Sequence, residues 1–289
     1  MNKQVLCYGE VLWDTFGKTR KAGGAPMNVA WNLKQQNIDV AFASSVGRDV
    51  LGDELINFLK KHGLHSPLVQ QDEDLPTCVV TVQLDEQQQA TYIIPEPVSW
   101  DNIIVTNELI KQAQTSSAIV FGTLVCRDEV SRDTLYEVLD STSALTVFDV
   151  NLRAPHYQLD TIQTLAAKSK VVKMNEEEAD LLIGGSSRSL KDKIIEFQKT
   201  YHPQTICVTR GDKGAILWHD DAFYEHPGFK VEVVDTVGAG DAFLATLISG
   251  LLNDLSMDQI VAKACCVGAF VTSQRGATPE YNISEIVPF

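Results

Sequence analysis

Short apolar runs, most of them rich in β-branched residues, recur along the whole chain with helically spaced stretches between them. "KQVLCYG", "VAFASSV", "SAIVFG", "ALTVFDV", "SKVVKMN" and "TICVTR" are apolar almost throughout, as strands covered on both faces are. Between them, "PMNVAWNLKQQ", "LGDELINFLKKHG", "EVSRDTLYEVLDS", "EEEADLLIGG" and "LKDKIIEFQKTY" place apolar residues at i, i+3 and i+4. That alternation predicts an α/β fold: a central, mostly parallel sheet sandwiched between helices. A chain of 289 residues suffices for one such domain.

One region departs from the rhythm. "PTCVVTVQLDEQQQATYII" reads as two alternating strands around a polar turn, and "VLWDTF" near the N-terminus is a further extended piece. Segments near 10–22 and 76–100 are therefore expected to form a small β-sheet lid over the main sheet. No Pro/Ser-rich linker or internal repeat separates them, so the lid is an insertion in a single domain spanning 1–289. A site beneath it would be sheltered from water.

Lys and Arg number 24 against 38 Asp and Glu, a net charge of −14 with no basic cluster. Such a field repels nucleic acid and anionic membrane, so neither is expected as a partner. A phosphate-bearing ligand would need magnesium to mask its charge. "ACCVGAFV" is far too short to span a bilayer, and the N-terminus lacks the layout of a signal peptide. The six cysteines form no CxxC pair and several sit in apolar runs, which predicts buried thiols in a reducing cytoplasm.

Two glycine clusters can carry chemistry. In "VVDTVGAGDAF", Gly238, Ala239 and Gly240 lie between a β-branched run and a strongly helical one. Small residues there let helix-terminal N–H groups face an anion, with the helix dipole adding to the attraction. Asp241 would sit in the first turn, placed to take a proton from an alcohol, or simply to suit the dipole. In "KAGGAPMNVAWNL", Gly24 permits close backbone approach and Asn28 offers both a donor and an acceptor from a first helical turn. Asp14 adds an acceptor, read as standing at the end of the first strand. Neither a dinucleotide fingerprint nor a Walker A loop is present: Phe243 takes the third glycine position, and Asp53-Glu54 stand where Lys-Ser/Thr would.

Together "GGAPMNVA" and "DTVGAGDAF" resemble the two signatures of the ribokinase-like (PfkB) carbohydrate kinases, in the expected order and across nearly the whole chain. The resemblance implies a ribokinase-like sandwich with a β lid, and ATP-dependent phosphorylation of a sugar hydroxyl. It makes Asp241 the base, with the N–H groups of Ala239, Gly240 and Asp241, shaped by Gly238, as the anion hole. It gives the sugar hydroxyls to Asp14, Gly24 and Asn28. "KMNEEEA" is similar to the family's Asn-x-x-Glu element, so Asn175 and Glu178 would organise magnesium and phosphate, Glu178 through water. Asn175 could equally be a helix cap. "VTRGDKGA" resembles the nucleotide-binding turn, placing Thr209 and Gly211 near ATP; "RGDKG" also reads as a plain hairpin turn. "VTSQRGATP", with the backbone around Asp235 and Thr236, is similar to a loop that holds a monovalent cation, K+, in relatives.

Several stretches, among them "GEVLWDTF", "PVSWDNI", "FGTLVCRDEVSRDTL" and "FDVNLRAP", resemble the fructokinase branch. On that resemblance the acceptor is free fructose, phosphorylated on O6, with 2-keto-3-deoxygluconate, ribose or another hexose as alternatives. Arg153, a substrate-binding candidate at the end of a sheet strand, would meet phosphate in a guanidinium fork, or remain a surface arginine in a loop before Pro155. A sugar-binding homologue without catalysis is the alternative from another class, and homodimerisation through exposed lid edges is a further expectation.

Overall fold

A computed structural model describes residues 3–17, 19–84, 90–184 and 188–286. The chain opens with β1 (Gln4–Tyr8), then β2 (Leu12–Phe16) and β3 (Thr19–Gly23). It continues through α1 (Ala25–Gln35), β4 (Asp39–Gly47), α2 (Val50–Lys61) and β5 (Val69–Asp72). A hairpin follows, β6 (Val79–Leu84) and β7 (Ala90–Ile93), and then α3 (Asn107–Thr115). Next come β8 (Ala118–Gly122), α4 (Glu129–Asp140), β9 (Leu145–Asp149), α5 (Leu159–Ala167) and β10 (Val171–Asn175). The last third holds α6 (Glu176–Ile183), α7 (Leu190–Tyr201), β11 (Thr205–Thr209), β12 (Ala215–His219), β13 (Ala222–His226), α8 (Ala239–Leu252) and α9 (Met257–Thr272).

The main sheet runs β13-β12-β11-β10-β9-β8-β1-β4-β5. All pairs from β11 to β5 are parallel, and β12 and β13 add an antiparallel edge. The pleat explains why its strands are apolar throughout. Leu6 and Tyr8 enter one core with helices α3 to α7, while Val5 and Cys7 enter the other with α1, α2, α8 and α9. Helix α8, buried along Asp241–Gly250, is the most enclosed, as its all-round apolar sequence requires.

Strands β3-β2-β6-β7 make the small second sheet, as the sequence leads one to expect. The polar turn of its hairpin, 85–89, lies outside the described residues. Trp13 of β2 donates from Nε1 to the Leu51 carbonyl at 3.1 Å, tying this sheet to α2. Asp14 belongs to β2, not to the end of the first strand: β1 stops at Tyr8, and Gly9, at φ +146°, turns the chain out of the main sheet. "RGDKG" is a hairpin turn, joining antiparallel β11 and β12. All six cysteines are buried and free. No helix among the described residues is long and apolar enough to cross a membrane.

Candidate active site

The sheet changes direction between β1 and β8. From β1 the chain steps outward to β4 and β5, whereas β8 begins the run through β9, β10 and β11. Open α/β sheets bind ligands at the carboxyl ends of strands at such a switch. A crevice lies there, lined by Glu10, Thr123, Asp149 and Asn151 from the strand ends and by Ala25 and Leu244 from α1 and α8.

The first turn of α8 lies near this crevice, since the charge of Asp241 acts on Glu10 and that of Asp149 acts on Asp241. Gly238 is its N-cap at φ +81°, and a Cβ there would stand 2.5 Å from the Ala277 Cα. Only glycine satisfies both the left-handed backbone and the contact. Helix geometry leaves the N–H groups of Gly240 and Asp241 without intrahelical acceptors, while that of Ala239 makes a long 3.4 Å bond to the Thr236 carbonyl. Asp241 is 9% exposed and accepts from Asn28 Nδ2 at 2.8 Å. Burial, then the charge of Asp149, pushes its carboxyl up to about 6 against the pull of Asn28, Lys173 and Arg153. Asn28 Oδ1 is buried and has no hydrogen-bond partner among the described residues, leaving an acceptor for a ligand hydroxyl.

Asp14 and Arg153 come from separate elements, β2 and the loop after β9. Burial raises the Asp14 carboxyl to about 6, opposed by the positive charge of Arg153. The same positive charge lowers the carboxyls of Glu10 and Asp241, so this exposed arginine acts on three acids. Gly24, at φ +112°, closes on the Glu10 carbonyl, 2.3 Å from where its Cβ would be.

At the neighbouring strand ends, Asn175 and Glu178 form a capping box on α6. Asn175 Oδ1 accepts from Glu178 N, and Glu178 Oε2 accepts from Asn175 N, both at 2.8 Å. Glu178 Oε1 accepts from Leu152 N at 2.8 Å, so this side chain also anchors the loop after β9. Burial and the nearby Asp149 raise its carboxyl pKa. Asn175 lies opposite Thr209 in the register, with Thr209 Oγ1 3.5 Å from the Met174 carbonyl. Gly211, at φ +58°, borders open space. Asp235 Oδ2 accepts from Gly276 N at 3.0 Å, bringing the loop before α8 and the loop after α9 together at Asp235 and Thr236. Among the described residues no three acids, histidines or cysteines gather as a ready-made metal site.

Three residues that sequence reasoning did not single out complete the cluster: Glu10, Asp149 and Lys173. Lys173 Nζ pairs with Asp149 at 2.9 and 3.2 Å, and burial, which opposes its charge, is outweighed by Asp149, Glu178 and Asp241. A Cβ on Gly240 would stand 3.3 Å from this ammonium, so the glycine turn and a buried positive charge share one space. That pairing of free N–H donors with a cation suits a phosphate group. A lysine inside "VVKMN" was the available signal, since a charge in a doubly covered strand must have a partner.

The sequence pattern of pfkB family carbohydrate kinases matches residues 3–283. A probable chloroplastic fructokinase-6 of Arabidopsis thaliana is 29% identical over 98% of this chain and 81% of its own length. A fructokinase of Salmonella typhimurium is 27% identical over 96% of this chain and 95% of its own. The crystal structure of a fructokinase from Xylella fastidiosa with bound ATP superposes at a TM-score of 0.87, covering 99% of this chain and 97% of that one at 21% identity.

Proposed function

The chain belongs to the pfkB family of carbohydrate kinases, and on that premise we propose that it transfers the γ-phosphate of MgATP to the 6-hydroxyl of fructose. The observation that carries this reading is the Asn28–Asp241 pair at the glycine-rich start of α8, a buried carboxylate beside free N–H donors and Lys173. The names of the relatives favour fructose as the acceptor.

Asn28 and Asp14 hold sugar hydroxyls and turn O6 toward Asp241, while Arg153 holds the far side of the sugar. Asp241, ionised above about pH 6, takes the hydroxyl proton as the sugar oxygen bonds to the γ-phosphorus and the bond from that phosphorus to the departing ADP oxygen breaks. MgATP, when bound, supplies the phosphoryl group and its activation by the metal. The N–H groups of Gly240 and Asp241, with Lys173, stabilise the charge that spreads over the transferring oxygens. Glu178, both of whose oxygens already accept from backbone N–H groups, would reach magnesium through water. Thr209 and Gly211 border the nucleotide. Backbone around Asp235 and Thr236 would hold K+ beside the anion hole, stiffening the Gly238 turn. The small sheet excludes water, and its edge strands β3 and β7 offer a surface for a homodimer, which light scattering would reveal as twice 31.9 kDa.

A coupled ADP-release assay with MgATP against fructose, ribose, glucose, adenosine and 2-keto-3-deoxygluconate, with and without K+, tests the reading. Fructose-dependent ADP release that Asp241→Asn abolishes is the expected result. Release with another acceptor alone would overturn fructose, and silence on every sugar would overturn this kinase assignment.

A further inference from the structure

Arg127 follows β8 and does not line the crevice, yet its side chain is only 3% exposed. Its Nε and Nη2 donate to the two Asp101 oxygens at 2.8 and 2.7 Å, and Nη2 also donates to the Pro95 carbonyl at 2.7 Å. The guanidinium lies 4.1 Å from the centroid of the buried Trp100 ring. Nη1 stands 3.4 Å from His156 Nδ1, which is itself 3.3 Å from Glu96 Oε2. Asp101 accepts a third bond, on Oδ2 from Val98 N at 2.9 Å.

These partners fall on two segments that are remote in sequence. Pro95 to Asp101 is the chain leaving the small sheet after β7, and His156 lies in the loop that carries Arg153. His156 N donates to the Arg153 carbonyl at 2.7 Å, so the imidazole and the proposed sugar-binding arginine share one turn. Packing alone would not call for this arrangement. A buried ion pair returns little net stability, and an apolar pair of similar volume often does as well. What a guanidinium adds is direction: donors in a fixed plane that hold several acceptors at set angles.

We propose that Arg127 is a positioning residue that couples the exit of the small sheet to the Arg153 loop, so that seating of the sheet over a sugar and orientation of Arg153 occur together. The inference rests on the reading of Arg153 as a sugar contact.

Two variants test it: Arg127→Lys, which keeps the charge and loses the fork, and Arg127→Met combined with Asp101→Asn, which leaves no uncompensated charge. Each is measured for thermal midpoint, for fructose KM, ATP KM and kcat, and for hydrogen exchange of residues 90–102 and 150–157 without ligands. The expected result is a cooperative fold, a fructose KM raised roughly 10- to 100-fold with ATP KM unchanged, and faster exchange in both segments together. A folded variant with wild-type fructose KM, or faster exchange in one segment alone, would overturn the coupling. Should the wild-type protein not phosphorylate fructose, the acceptor reading fails separately, and the exchange measurement alone decides the role of Arg127.

Discussion

Asp241 holds its carboxylate under the first turn of α8 at a cost to the fold. Carrying an acid from 3.8 to about 6 costs on the order of 3 kcal/mol once both folded and unfolded chains are ionised. The sign follows from the protons bound. Between the two values the folded state keeps a proton that the unfolded chain has lost, so stability drains away as pH rises through that window. Asp241→Asn should therefore melt higher than the wild type at pH 7.5, with the gap closing toward pH 4, as calorimetry at the two pH values would reveal. The same variant should lose roughly 10²–10⁴-fold in kcat, and the wild-type kcat/KM should fall with decreasing pH through about 6. Gly238→Ala tests the other half of the site. Its φ of +81° and the Ala277 backbone both oppose a side chain, so about 1–3 kcal/mol of stability should go, read as a lowered denaturant midpoint, together with most of the activity.

Helix α2 shows how one short element fastens the small sheet to the main one. Its N-cap Asp49 accepts from Gly52 N at 2.7 Å, and from Thr77 Oγ1 at 2.8 Å and Thr77 N at 2.9 Å, just before β6. Burial alone would raise this carboxyl, but the bonds from Thr77 and Gly52 prevail and hold it below its ordinary value. Asp49→Ala should cost about 1–3 kcal/mol in urea titration at pH 7. Because the depressed carboxyl stabilises only where it is ionised, the penalty should shrink as pH falls below about 4. Helix α1 makes a comparable link on the other side. It presents Asn28 to Asp241 at one end, while Trp31 and Asn32 hold the segment after α9 by bonds to Pro279 O and from the Tyr281 hydroxyl.

At the scale of the molecule, the two layers of helices and the hairpin of the small sheet were legible because period and turn chemistry are local. Strand order was not, because doubly covered strands look alike in sequence, and nothing in "KQVLCYG" says that β1 lies between β4 and β8. Helix α5 also escaped notice, although its Ile162, Leu165 and Ala166 are buried. The glycine-bounded residues Gly238 to Asp241 and Gly24 to Asn28 could be read because a turn and a helix start impose them on neighbouring positions. Glu10 and Asp149 could not, since their meaning arises only when separate strands bring them side by side, and Lys173 signals only that it needs a partner, not that the partner is Asp149. At Thr209 and Gly211 the hairpin turn is real and opens at the strand ends beside Asn175, so the turn and the proposed nucleotide contact are compatible.

Every thiol in this protein is out of reach. Burial raises all six thiols above their ordinary value, Cys78 to about 12 and Cys265 to about 11, so little thiolate meets solvent in the folded state. A coloured disulfide reagent should react slowly with the native protein and with all six sulfurs once it is denatured. Its rate then becomes a clock for opening, and fructose with MgATP should slow that clock in proportion to their occupancy. Oxidative wear, by the same logic, falls on molecules caught open and spares the working ones.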